Sequence, residues 1–460
     1  MSATSLVSKS LSKMREMVAQ ATGKTREPSE KVLERIRQQL EECAAGLGGE
    51  ISTRQRAARL AETYLKLDDS GRMAMLHMIA LDFGPDPTAI AEAHAAYQKA
   101  VGSKDQWEAE ARLRGAMRSR RIRILTQFNA IPQGVKFLVD LRADLLRFLP
   151  DNPLLKPLDR ELEARLGAWF DVGFLELARI TWNSPAALLE KLVEYEAVHE
   201  IKSWLDLKNR LDSDRRCYGF FHPRMPLEPL IFVQVALTEG LADDVQQLLD
   251  INAPLADASK ANTAIFYSIS ATQAGLRGVS FGNFLLKRVV EDLQRDFPKL
   301  QQFATLSPVP GLVKWVNRNP QALGEAITAA DWKRLTAAGV EDENVPVLRA
   351  LLEDGGDWAS NEPLCAALRD PLLRLAARYL CEARRGDKPV DPVARFHLGN
   401  GARIERLNWL ADTAPKGLSQ SWGIMVNYLY DPDRIESNLE AFAREGRIDA
   451  SAAVRRLAKR

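Results

Sequence analysis

Apolar positions recur at spacings of three and four from residue 28 to about residue 168. Val32, Ile36, Leu40 and Cys43 form one stripe behind Pro28-Ser29, and Leu60, Tyr64 and Leu67 a second. Asp86-Pro87 opens another helix, because aspartate caps and proline suits the first turn. Trp107, Leu113 and Met117 mark a fourth, and Val135, Leu138, Leu141, Leu145 and Phe148 a fifth. No alternating segment interrupts them, so the pattern predicts a helical bundle.

Near Trp169 the period changes. Leu175 to Trp182 reads as a short strand, and Ser184-Pro185 opens an amphipathic helix. Cys217 to His222 and Leu230 to Leu237 are apolar runs on either side of Pro-Arg-Met-Pro-Leu-Glu-Pro. Those prolines exclude helix and ladder alike, which predicts an antiparallel hairpin. A short helix follows at Ala242 to Leu249. Ile265, Tyr267 and Ile269 then alternate with Phe266, Ser268 and Ser270 as a half-buried strand. Gln273 to Gly282 is a loop with three glycines, after which Asn283 is placed to cap a helix striped by Leu286, Val290, Leu293 and Phe297. Gln302 to Leu306 is a strand that runs into Ser307-Pro308. Residues 310 to about 390 return to helix, Val393 to Leu398 reads as a last strand, and Arg434 to Ala458 is helical. The fold class predicted is α+β: an all-helical domain over residues 1–168, then a mixed-sheet domain with helical insertions over 169–460.

Composition narrows the function classes. Apolar residues make up 46% of 460, enough for sizeable cores, and the net charge of +2 gives no reason to expect nucleic acid or an anionic membrane as partner. Four cysteines lie far apart, with no paired spacing for zinc or a disulfide framework, which suits a reducing compartment. No apolar run approaches the roughly 18 residues of a membrane span. The first 15 residues lack acids and carry Lys9, Lys13 and Arg15, a pattern shared by transit peptides and by plain basic termini. Arg118 to Arg123 is a basic run that reads as a solvated face.

The glycine loop is the first candidate for chemistry. A loop feeding a helix N-terminus offers unpaired N–H groups and the positive end of the helix dipole to a phosphate. Ser307 lies one strand beyond that helix, and Pro308 biases it to an extended conformation. Taken alone, a glycine loop turns the chain and a Ser-Pro pair is an ordinary turn.

Longer strings change the weighting. The order from Leu175 to Leu306 resembles the acyl-CoA-binding fold of GNAT-type acetyltransferases, whose loop motif falls on Arg277 to Gly282, with Ser280 where a glycine is usual. Phe221 to Gly240, Ser268 to Val290, Leu306 to Gly311 and Phe396 to Ala402, together with the helical half before them, resemble the malonyl-CoA decarboxylase family over nearly the whole chain. The resemblance implies conversion of malonyl-CoA to acetyl-CoA and carbon dioxide within fatty acid metabolism. It implies no metal and no organic cofactor, CoA being part of the substrate. It also implies a helical domain that assembles a homotetramer.

Carried over by motif, the family's serine falls on Ser307, its histidine on His397, and a C-terminal tyrosine on Tyr430, with Tyr428 close by. The acyl-CoA site would comprise Ser268, Gln273, Arg277, Gly278, Val279, Ser280, Phe281, Gly282 and Asn283. Some members carry a glutamate where this chain has Ser280, so no role of that carboxylate transfers. The compartment expected is the cytoplasm, or the mitochondrial matrix for a eukaryotic source. A GNAT-type acyltransferase and a non-catalytic CoA-binding scaffold are the competing readings.

The chemistry makes its own demands. Loss of carbon dioxide from a malonyl thioester leaves an enolate, so the site must hold the carboxylate out of the thioester plane. It must also present donors to the oxyanion in a dry setting and return a proton to C2. A serine hydroxyl can bind the carboxylate, and an imidazole can bind it and protonate the enolate.

Overall fold

The computed structural model describes residues 29–46, 49–279, 285–340, 344–353 and 357–459. The chain divides into two compact units. One takes the chain up to Phe174 together with His222–Pro226 and the described part of Gln273–Phe281. The other takes Leu175–Phe221, Leu227–Thr272 and the remainder of the chain.

The first unit is helical. Its helices among the described residues are Glu30–Ala45, Glu50–Lys66, Asp69–Asp82, Pro87–Ala100, Gln106–Ala116, Arg121–Asn129, Gly134–Phe148 and Lys156–Trp169. Asp86 caps as the sequence predicts, its Oδ1 accepting from the Thr88 N–H at 2.9 Å. Two stripes shift. In the first helix Leu33, not Val32, joins Ile36, Leu40 and Cys43 inside. Trp107 and Met117 are exposed, at 74% and 59%, rather than in a core. They belong to a helical hairpin whose first helix buries nothing and whose second buries only Ala109. In the basic run, Arg120 pairs with Glu41 and Arg121 with Glu161.

The second unit is built on an eight-stranded sheet: β1 (Glu176–Ile180), β2 (Arg215–Phe221), β3 (Pro229–Thr238), β4 (Thr263–Ala271), β5 (Gln302–Thr305), β6 (Ser307–Pro308), β7 (Arg403–Asn408) and β8 (Met425–Tyr430). The order is β1-β2-β3-β4-β5-β8-β6, with β7 also paired to β8. The hairpin β2–β3 is antiparallel as predicted, and β4–β5 is parallel, joined by the crossover helix Leu285–Asp296. That helix buries Leu285, Leu286, Val289, Val290 and Leu293. Ile265, Tyr267, Ala304, Leu306 and Met425 share one core with Val245 and Leu248 of the short helix Val245–Leu249.

Val393 to Leu398 is not a strand. Pro392–Leu398 is a helix, because Asp391 caps it and proline occupies its first turn. The last strands are β7 and β8 instead. Both carry polar residues on buried faces, such as Asn408 and Asn427, which hides their alternation.

Candidate active site

β4 and β5 run parallel from Thr263 beside Gln302 to Phe266 beside Thr305, and the Leu306 N–H still reaches the Phe266 carbonyl at 3.1 Å. There the strands part. Ser307 and Pro308 leave β4 and pair with Val426 and Met425 of β8. The remainder of β4, from Tyr267 to Ala271, has no partner on that side from β5, and the gap opens into a cavity of about 250 Å³. Its walls are mostly apolar, with Val198, Ile231, Phe266 and Ile269 among them, and Ser307 and His397 both face it.

The helix Pro392–Leu398 carries His397 to the cavity, where it is 3% exposed. Ser307 Oγ lies 3.0 Å from His397 Nε2 and donates to Thr305 Oγ1 at 2.8 Å. His397 Nδ1 lies 2.8 Å from the Tyr430 hydroxyl. Donor accounting sets the direction of this relay. With its own proton on Thr305, Ser307 Oγ accepts from Nε2–H. Nδ1 is then bare and accepts from Tyr430. Burial pushes the imidazole down to about 3, so it is neutral at ordinary pH. Burial likewise drives the Tyr430 phenol well above its usual value, keeping it a donor.

The two tyrosines near the C-terminus take different places. Tyr430 binds the Nδ1 edge, whereas Tyr428 stacks on the imidazole face, with 4.5 Å between centroids and 25° between planes. Alternation along β8 puts both on one side. An irregularity at Asn427/Tyr428, where Glu405 of β7 has no opposite number, fixes their register. Thr305 was not singled out in the sequence. It accepts from Ser307 and also from the Tyr428 N–H at 3.1 Å, and its position two residues before Ser307 is the signal that could have found it.

The proposed CoA residues are distributed differently. Ser268, in the second unit, is buried with its hydroxyl donating to the Glu196 carboxylate at 2.8 Å. Gln273, Arg277, Gly278 and Val279 belong to the first unit. There the Arg142 guanidinium donates to the carbonyls of Gly275 at 2.9 Å and Arg277 at 2.7 Å. Gly275 must be glycine, since a Cβ would fall on the Val139 carbonyl, and Gly278 holds φ +85°. The Arg277 side chain is exposed. Ser280, Phe281, Gly282 and Asn283 lie outside the described residues. No cluster of three or more metal-ligating side chains occurs among the described residues.

Residues 173–460 match the malonyl-CoA decarboxylase C-terminal domain family, and residues 83–170 the malonyl-CoA decarboxylase N-terminal domain family. The chain belongs to the malonyl-CoA decarboxylase family. It is 38% identical over 420 residues to a relative from Anser anser anser described as mitochondrial malonyl-CoA decarboxylase, covering 87% of this chain and 82% of that one. Crystal structures of malonyl-CoA decarboxylase from Rhodopseudomonas palustris (41% identity, TM-score 0.82) and Agrobacterium vitis (40%, TM-score 0.81) are also similar. Each covers 92% of this chain and 99% of its own. The serine and histidine positions read onto this chain from the malonyl-CoA decarboxylase family are side by side in the structure, joined through one imidazole to Tyr430.

Proposed function

We propose that this chain converts malonyl-CoA to acetyl-CoA and carbon dioxide without metal or organic cofactor. The observation that carries the reading is the Ser307–His397 contact inside an apolar cavity. The malonyl carboxylate enters the cavity, and Ser307 exchanges its bond to Thr305 for one to the substrate. His397 Nε2–H remains a donor because Tyr430 occupies Nδ1. Apolar walls deprive the carboxylate of water, while Ser307 and His397 hold it out of the thioester plane until carbon dioxide departs. An anion beside Nε2 raises the imidazole pKa, so a proton taken up with substrate can be returned to C2. No step needs a covalent acyl-serine.

The loop from Gln273 to Asn283 grips the CoA phosphates in this reading, with the exposed Arg277 as its cation. The helical domain, 1–168, mediates self-association into a homotetramer. The hairpin Pro87–Ala116, with its exposed Trp107, supports that role. Four free cysteines suit a reducing compartment, taken here as the cytoplasm, and the activity belongs to fatty acid metabolism.

The test is the purified chain with malonyl-CoA and no acyl acceptor. Stoichiometric carbon dioxide and acetyl-CoA are expected; an inert mixture would leave a transferase or a scaffold.

A further inference from the structure

Ser307 and His397 are 90 residues apart, and a 3.0 Å contact between them needs something to hold their two segments in register. Asp391 lies between those segments. It is fully buried, six positions before His397. Its Oδ1 accepts from the Val393 N–H at 2.9 Å and the Ala394 N–H at 2.8 Å, which starts the helix that carries His397. Its Oδ2 accepts from the Tyr379 hydroxyl at 3.2 Å. Gly311, four residues beyond Ser307, lies against the same group: a Cβ there would stand 3.5 Å from Asp391 Oδ2 and closer still to the Tyr379 hydroxyl.

Other features support that junction. Tyr379 comes from the long helix Glu362–Glu382 and packs on Trp315, which lies on the helix that Gly311 opens. A Cβ on Gly311 would collide with the Tyr379 hydroxyl, so the close approach depends on glycine. Three segments therefore meet on one carboxylate, and two of them carry the members of the relay. A helix cap alone needs only the Val393 and Ala394 donors. The Tyr379 bond is additional, and with the packing of Gly311 on that hydroxyl it points toward the Ser307 segment.

We infer that Asp391 is a positioning residue that sets the Ser307–His397 distance by tying the turn after Ser307 to the start of the His397 helix. The inference rests on the reading of Ser307 and His397 given above. Asp391 touches no substrate; it acts through the alignment of the pair.

Asp391→Ser separates the two jobs. Serine caps a helix well, but its short side chain does not reach the Tyr379 hydroxyl. Asp391→Asn keeps a carbonyl oxygen at full reach and serves as the conservative rescue. Expected for Asp391→Ser is a fall in kcat of about tenfold or more, with KM for malonyl-CoA within about threefold of wild type, and for Asp391→Asn recovery to within about threefold. A second readout needs no turnover. In ¹⁵N-histidine spectra, with His397 assigned by its loss in His397→Gln, wild type shows one neutral Nε2–H tautomer, and Asp391→Ser blurs it by exchange. Unchanged kcat and unchanged His397 signals in Asp391→Ser, with Ser307→Ala and His397→Ala inactive, overturn the role of Asp391. Full activity in Ser307→Ala and His397→Ala overturns the reading of the site itself.

Discussion

Tyr428 lies flat on the imidazole of His397, yet its buried hydroxyl has no hydrogen-bond partner among the described residues. Tyr430 is the reverse: edge-on to the same ring, with its hydroxyl on Nδ1. One ring supports by contact and the other by a hydrogen bond.

Removing each hydroxyl separates those functions. Tyr428→Phe keeps the stack and deletes an unpaired buried group, so turnover stays within about twofold and stability rises by about 1 kcal/mol. Tyr430→Phe removes the donor that fixes the tautomer, so kcat falls by about tenfold to a hundredfold. Steady-state kinetics and thermal melts on the two variants check both. Equal losses would contradict the division.

Ser307→Ala and His397→Ala each lower kcat by far more than about tenfold, equivalent to about 1.4 kcal/mol of barrier. The double variant is little worse than either single one, because the pair acts as a unit. Binding of CoA, measured by calorimetry, survives in all three.

Acid sensitivity follows from histidines buried neutral, His397 and His199 foremost, with His77 shifted the same way by burial. Burial pushes His397 down to about 3. His199 is held at about 4 by burial first, then by Arg210 and Lys416. The unfolded chain binds these protons near the ordinary value of 6.5, whereas the folded chain resists them. Their contribution to stability is therefore complete above about pH 6.5 and is lost as pH falls toward 4 and then 3, at up to about 1.4 kcal/mol per pH unit per group. His199→Gln flattens that dependence, so the gap in melting temperature between wild type and variant shrinks between pH 7 and pH 4.5. A constant gap would rule His199 out as a contributor.

Arg277→Gln tests the CoA loop. Arg142 holds the backbone carbonyl at position 277 while the side chain is exposed, so the fold is spared. KM for malonyl-CoA rises about threefold to tenfold, kcat hardly changes, and the wild-type KM is the more salt-sensitive of the two.

The helical half, the β2–β3 hairpin and the β4–helix–β5 crossover were legible because each has a clean period. β7 and β8 were not, since Asn408 and Asn427 bond to one another inside and break the apolar alternation. The Val393–Leu398 run imitates a strand because a seven-residue helix shows only about two turns of pattern, and its decisive mark is the Asp-Pro start. At the site, motifs brought Ser307, His397 and Tyr430 into view. The choice between Tyr428 and Tyr430, and the presence of Thr305 and Asp391, depend on packing across the sheet that no local spacing encodes.

In the sheet, β8 is inserted between β5 and β6. The serine's neighbouring strand is thus the one that brings both tyrosines, and it is the last strand to be synthesised. A nascent chain that has already made the glycine loop, Ser307 and His397 still has no assembled relay until residue 430 has left the ribosome. Truncations that remove the final strand should yield proteins with an intact helical half and no partner strand for Ser307 and Pro308. Assembly of the relay thus waits on residue 430, although its serine and histidine are made earlier.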